Sequence, residues 1–315
     1  MRKFFSRTAG ILFLLLLHTG VSARTERPVS PDGTRCYARK DGQELKLDYY
    51  LPEPSGDTVK RPAILFMFGG GFVAGTRDDA TYLPWFRKLK EEGYTVVSID
   101  YRLPLKDAKA RGLNRLKAFL DAIQTGVDDL YSATAWLIAH GQEIGVDASR
   151  LVICGSSAGA IIVDEAEWEL ASRAPAAAVL PEGFRYRGVI SFSGAILSRK
   201  GKLKYGRSPA PMLLMHGTDD KVVNYGKIRV LNWGFYGSNA IAKTCGKNGY
   251  VHHIIRYTGH GHDIANLMFE TFPEQRRFLE DNIIRGIART VDATVDDPSV
   301  PKKKSYKNRK ELYAD

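Results

Sequence analysis

The pentapeptide Gly155-Ser156-Ser157-Ala158-Gly159 constrains this chain more than any other stretch. Ahead of it, Arg150 to Cys154 (RLVIC) reads as a short buried strand; behind it, Ala158 to Ser172 reads as a helix. A backbone that passes from strand to helix so abruptly turns a sharp corner. Glycines flank such a corner because side chains there would collide. Ser157 sits at the corner with its hydroxyl exposed, and the helix N-terminus behind it favours developing negative charge. With Ser156 at the corner instead, the glycines fall at the wrong offsets. The competing reading is a Gly/Ser turn without chemistry, since five-residue patterns occur by chance; the strand and helix around this one favour a nucleophile.

The same alternation runs through the chain. Glu44 to Leu51 (ELKLDYYL) alternates polar and apolar residues like a half-exposed strand. Ala63 to Phe68 (AILFMF) and Tyr94 to Ile99 (YTVVSI) are continuous apolar runs, as strands covered on both faces are. Leu113 to Gly141 carries helical spacing, then Gly188 to Phe192, Met212 to Met215 and Val251 to Tyr257 read as strands, and Phe272 to Ile287 as a closing helix. The 315 residues, 44% hydrophobic, hold enough apolar material for a sizeable core. Strand–helix alternation with buried strands predicts an α/β domain with a mainly parallel central sheet and helices on both faces.

Further chemistry clusters at strand ends. Phe68-Gly69-Gly70-Gly71-Phe72 follows directly on an apolar strand, so backbone N–H groups can approach a ligand and hold an oxyanion. No Gly-Lys-Ser/Thr follows, so it is not a phosphate loop; a flexible glycine loop is the bland alternative. A serine hydroxyl needs a histidine base, and the base a carboxylate to hold its tautomer. Met212 to Met215 leads into His216-Gly217-Thr218-Asp219-Asp220, and Val251 to Tyr257 into Gly259-His260-Gly261-His262-Asp263. The chain order serine, acid, histidine is that of an α/β-hydrolase.

Over nearly its whole length after the N-terminal segment, the chain resembles secreted α/β-hydrolases of the carboxylesterase type, near bacterial carbohydrate esterases. The resemblance rests on Tyr49-Tyr50-Leu51-Pro52, the glycine loop, Asp100-Tyr101-Arg102-Leu103, Gly145 to Arg150 and the serine turn. It implies Ser157 as nucleophile, Asp220 rather than Asp219 as the acid, His262 rather than His260 as the base, and N–H groups of Gly70, Gly71 and Ala158 as the oxyanion hole. It implies no cofactor and no metal. One departure is Phe68, where related esterases often have histidine; the backbone donors survive it, but how the loop is held is open.

Other residues have plainer expected roles. His216 is read as a strand-end packing residue that helps hold the acid turn, and Asp263 as a cap for the turn that follows it. His252 and His253 are adjacent on a strand and point to opposite faces, which disfavours a shared metal. Trp85, Phe86, Trp233 and Tyr236 either line a pocket or pack in the core. Cys154 reads as buried, and Cys36 and Cys245 as a candidate disulfide.

Residues 1–23 read as an export signal, with Arg2, Lys3 and Arg7 ahead of the apolar run Ile11 to Leu17 and small residues at Val21-Ser22-Ala23. The expected location is secreted or periplasmic. No later stretch approaches the roughly 20 apolar residues of a membrane span. The catalytic domain is expected over 24–290, and 291–315 as a basic, flexible tail. The net charge of +11 concentrates in Arg199 to Arg207 and Lys302 to Lys310. Solvated loops or an anionic polysaccharide account for it; no nucleic-acid-binding signature accompanies it. A large cap has no evident source except Lys106 to Arg115 and Leu197 to Arg207, so a minimal lid is expected. The resulting reading is a serine esterase removing short acyl or feruloyl groups from a glycan or small ester. A serine exopeptidase, a lipase and a non-catalytic binding protein on the same fold are the alternatives.

Overall fold

The computed structural model describes residues 29–53, 61–106, 113–198 and 201–312. The expected export signal lies outside them, as do Arg199 and Lys200 of the first basic run and residues 313–315. In chain order the strands are β1 (Gly33–Lys40), β2 (Gln43–Tyr50), β3 (Ala63–Met67), β4 (Thr95–Ile99), β5 (Leu151–Ser156), β6 (Gly188–Phe192), β7 (Ala195–Ser198), β8 (Met212–Gly217), β9 (Lys227–Val230), β10 (Trp233–Gly237), β11 (His252–Tyr257) and β12 (Val291–Val295). The helices are α1 (Leu83–Glu91), α2 (Leu113–His140), α3 (Ala158–Ala171), α4 (Ser238–Lys247), α5 (Phe272–Phe278) and α6 (Arg309–Leu312).

A nine-stranded sheet in the order β1-β2-β4-β3-β5-β6-β8-β11-β12 organises the molecule. β1, β2 and β4 pair antiparallel; every pairing from β4 across to β12 is parallel. The apolar runs decide the order of burial. Every residue of β3, β5, β6 and β8 is buried, whereas the edge strands β1 and β12 are largely open. Burying one such Ile, Leu, Val or Phe is worth about 1.5–3 kcal/mol, so the four central strands anchor the fold.

The crossovers place the helices. From β3 through α1 to β4 the chain moves toward one edge, and from β5 through α3 to β6 toward the other. Right-handed crossovers in opposite directions put α1 and α3 on opposite faces. On one, Trp85 Nε1 of α1 donates to Gln275 Oε1 of α5 at 2.8 Å. On the other, α2 lies close on α3; a Cβ at Gly126 would come within 2.4 Å of Ile162. Between β4 and β5, at β3, the direction reverses, and the carboxyl ends of the parallel strands open a crevice there. The glycine loop after β3, the turn after β5, the acid turn after β8 and the histidine loop after β11 all leave from that side.

The fold is the expected α/β-hydrolase arrangement, with three differences. β12 extends the sheet beyond residue 290: its backbone runs in register with β11, from His253 opposite Val291 to Tyr257 opposite Val295. The tail drawn from composition therefore starts inside the sheet. The closing helix does not run unbroken to Ile287; α5 passes into a π-helical turn, Leu279–Ile284. A second, antiparallel sheet, β7-β10-β9, is built from the segments after β6 and β8. Its strands are four and five residues long, too short for periodicity to reveal. All three cysteines are free thiols, Cys36 exposed and Cys154 and Cys245 buried, so the candidate disulfide is not formed. No described helix is long and apolar enough to cross a membrane.

Candidate active site

The corner between β5 and α3 is as tight as its glycines require. A Cβ at Gly155 would lie 2.3 Å from the backbone of Gly159, and one at Gly159 would lie 2.1 Å from the carbonyl oxygen of Met67. Those missing atoms let α3 pack directly on the end of β3. Ser157 has φ 51° and ψ −113°, a conformation costing a non-glycine residue about 1–3 kcal/mol. Its N–H donates to Phe192 O at 2.9 Å, which ties the strained residue to β6. The neighbouring serines face different ways: Ser156 Oγ donates to Ala265 O at 2.7 Å, while Ser157 Oγ lies 2.7 Å from His262 Nε2.

His262 Nδ1 lies 2.7 Å from Asp220 Oδ2. Facing a carboxylate, Nδ1 carries the ring proton, which leaves Nε2 as the acceptor for the serine hydroxyl. Asp220 Oδ1 accepts N–H bonds from Val222 at 2.8 Å and Val223 at 2.9 Å. His216 Nε2 lies 3.2 Å from Asp220 Oδ2 and 3.0 Å from Val223 O. Both are acceptors, so Nε2 of His216 bears its proton, and Nδ1 accepts from Ser238 Oγ at 2.8 Å. Burial by itself would raise the Asp220 carboxyl; the hydrogen bonds from His216 and His262 outweigh it and hold the group well below the usual carboxylate range. Ser157, His262 and Asp220 thus come together from three separate strand ends, and His216 does hold the acid turn.

The rival residues are engaged elsewhere. His260 Nδ1 pairs with Asp263 Oδ2 at 2.7 Å, and Asp263 Oδ1 accepts the Gly261 N–H at 2.8 Å. Asp263 therefore reaches back to brace the loop in front of it. The capping position of the His262–Asn266 turn belongs to Gly261, which corrects the expected capping role. Asp219 is exposed, and its N–H donates to His260 O at 2.9 Å, linking the acid turn to the histidine loop.

The glycine loop faces the corner: a Cβ at Gly69 would sit 3.3 Å from Ser157 Cβ. Gly70 and Gly71 have φ 125° and 63°, conformations that need glycine. The Gly70 carbonyl accepts the N–H groups of Val73 and Ala74, both at 3.1 Å. Ala158 opens α3, where N–H groups have no partner within the helix. Phe68, the departure from the related esterases, is held by aromatic packing. Its ring stacks on Tyr101 with centroids 4.4 Å apart, and Tyr101 Oη donates to Phe68 O at 3.0 Å. Tyr82 Oη accepts the Gly69 N–H at 3.0 Å. Arg77, just beyond the loop, pairs with Asp48 and Asp100, each at 2.9 Å. Sequence patterns did not single out Tyr82 or Arg77, because single side chains in a polar segment have no periodicity. Asp100 and Tyr101 entered only through the resemblance. Trp85 and Phe86 are core residues and Tyr236 is buried, while Trp233 is exposed.

Comparisons with known proteins bear on the family and the fold. The phospholipase/carboxylesterase family model matches residues 115–272, and the BD-FAE family model matches residues 47–164. Among curated proteins, the ethyl acetate hydrolase of Pseudomonas putida is 29% identical over 120 residues, 38% of this chain and 33% of that protein. Esterase LipI of Mycobacterium tuberculosis is 28% identical over 144 residues, 45% of this chain and 36% of that protein. The match thus spans about a third of the length of these relatives. Among solved structures, an esterase of Thermogutta terrifontis superposes with a TM-score of 0.58 at 22% identity, covering 80% of this chain and 93% of its own. The same esterase has been solved with propionate bound and with butyrate bound.

Proposed function

The chain belongs to the phospholipase/carboxylesterase family of α/β-hydrolases, and from that premise we propose that it is a serine carboxylic-ester hydrolase working through an acyl-enzyme. The carrying observation is the continuous line of short contacts from Ser157 Oγ through His262 to Asp220, 2.7 Å at each step. In this reading Ser157 Oγ attacks the ester carbonyl carbon while its proton passes to His262 Nε2. The N–H groups of Gly70, Gly71 and Ala158 stabilise the oxyanion. As the intermediate collapses, His262 delivers that proton to the departing alkoxide, and the alcohol leaves. Water then attacks the acyl-enzyme, His262 again taking and returning a proton, and releases the acid and free serine. Asp220 stays ionised throughout and stabilises the imidazolium.

The finer reading is an exported enzyme, periplasmic or extracellular, acting on short acyl esters of a glycan or small alcohol. Short acyl groups are supported by the ethyl acetate hydrolase among the relatives and by the propionate and butyrate bound to the Thermogutta esterase. Export is supported by the basic and apolar pattern of residues 1–23. The test is labelling by a fluorophosphonate, followed by turnover of p-nitrophenyl esters of increasing acyl length and of acetylated xylan. Labelling that Ser157→Ala abolishes, together with a preference for acetate to butyrate, is the expected result. Preference for long acyl chains would overturn the substrate reading, and labelling retained in Ser157→Ala the mechanism.

A further inference from the structure

We propose that residues 296–312 form a strap that walls the ester site, and that Leu312 is a specificity-determining residue restricting the acyl group to a few carbons. This rests on the esterase reading above and narrows it, favouring acetyl-sized groups over feruloyl.

The strap begins where β12 leaves the sheet and is fastened at its start and at Lys303. The Thr258 N–H donates to Val295 O at 2.9 Å. A turn follows at Asp297, whose Oδ1 accepts the Ser299 N–H at 2.8 Å and whose carbonyl accepts the Val300 N–H at 3.1 Å. Lys303 then reaches the loop that carries His262. Its Nζ donates to Asn266 O at 3.0 Å and pairs with Glu270 at 2.7 Å. At the far end a single helical turn is capped from within: the Glu311 N–H donates to Asn308 Oδ1 at 3.1 Å, and Glu311 Oε2 accepts the Lys307 N–H at 2.6 Å.

That turn delivers Leu312 to the glycine loop. Leu312 Cδ2, Cδ1 and Cγ lie 3.1, 3.2 and 3.3 Å from the point a Cβ on Gly71 would occupy. Gly69, two residues earlier, is in contact with the Ser157 corner. The strap therefore touches both loops that flank the Ser157–His262 pair, the histidine loop through Lys303 and the glycine loop through Leu312. Val300 and Leu312 pack against the core, while Lys302, Lys304 and Lys307 are exposed. The segment thus lies on the surface and touches the enzyme at a few points, Val300, Lys303 and Leu312 among them. Within the second basic run, Lys303 accordingly has a structural role. A branched apolar side chain beside the proposed oxyanion donors would narrow the space an acyl group enters, favouring a small group over a long or aromatic one.

The test is the ratio of kcat/KM for p-nitrophenyl octanoate to that for p-nitrophenyl acetate, in the full chain, in Leu312→Ala and in a chain ending at Val300. A ratio that rises about tenfold or more in both variants is expected, the discrimination a few methylenes command at a pocket wall. Leu312→Trp is expected to shift the profile the other way, lowering turnover of butyrate relative to acetate. An unchanged octanoate-to-acetate ratio in Leu312→Ala overturns the assignment, as does an equal loss on every ester. If the shortened chain does not fold, the two point variants decide between these outcomes. Failure of the underlying reading looks different: the full chain then turns over none of the esters and takes up no fluorophosphonate.

Discussion

His216 Nε2 and His262 Nδ1 converge on one oxygen of Asp220, at 3.2 and 2.7 Å. The carboxylate is thus held from both sides, by one imidazole in line with Ser157 and by another that is fully buried and anchored to Ser238. Both bonds favour the ionised acid. Removing the buried one in His216→Phe is expected to raise the Asp220 carboxyl toward its ordinary range and to cost about 1.5–3 kcal/mol of stability, the worth of a charge-assisted hydrogen bond. Denaturant melts at neutral pH would reveal the loss.

The two adjacent serines should part company. Ser157→Ala is expected to lower kcat by about 10⁴–10⁶-fold, as loss of a nucleophile does. Ser156→Ala should keep fluorophosphonate labelling and lose about 1–3 kcal/mol of stability, because the Ala265 carbonyl is then left without its buried donor. Denaturant melts alongside labelling assays separate the two effects.

Similar pairs separate the acids and the bases. Asp220→Asn is expected to cost about 10⁴-fold in kcat by disturbing the His262 tautomer. Asp219→Asn should retain most activity, since Asp219 contributes to the loop through its backbone N–H. His262→Ala should abolish turnover, and His260→Ala should appear chiefly in the melting temperature, because its partner is Asp263.

Gly159→Ala adds a single carbon 2.1 Å from the Met67 carbonyl oxygen. Backbone stands on both sides of that contact, so neither can yield by changing a rotamer. A loss of at least about 1–3 kcal/mol is expected from the overpacking, together with loss of activity as the serine corner shifts. Comparison with Gly183→Ala, where nothing lies within 4 Å but φ is positive, distinguishes collision from backbone strain.

Asp164 gives stability an unusual pH dependence. Burial behind the serine corner pushes its carboxyl up to about 8, against a hydrogen bond from Ser191 that lowers it. Because this acid binds its proton more tightly folded than unfolded, the native state holds extra proton between pH 4 and 8. Its contribution to stability is full below that window, declines as pH rises through it, and levels off above it. Denaturation midpoints measured from pH 5 to 9 should fall with pH, and the fall should be shallower in Asp164→Asn. Glu167, pushed up to about 7 by burial, contributes in the same direction and persists in that variant.

The parts legible in the sequence share a physical origin. β3, β5, β6 and β8 are covered on both faces, so their continuous apolar runs announce them. The glycines at 155 and 159 mark the corner because backbone-to-backbone approach leaves no room for any other residue. Elements held by long-range pairing were hidden. β12 carries alternating half-buried residues and one acid, Asp292, and becomes a strand only because β11 offers it a parallel edge. The stack of Phe68 on Tyr101 joins residues on two separate strand ends and leaves no local trace. Whether His260 or His262 meets Ser157 depends on the bend of the loop Gly259 to Asp263, which spacing alone could only rank.

Leu312 rests against Gly71, so this side chain stands at the doorway of the crevice. A bulky spectroscopic probe attached at position 312 would sit on the threshold and compete for space with whatever enters. Labels meant to leave acyl-chain preferences untouched are better placed on exposed Lys304.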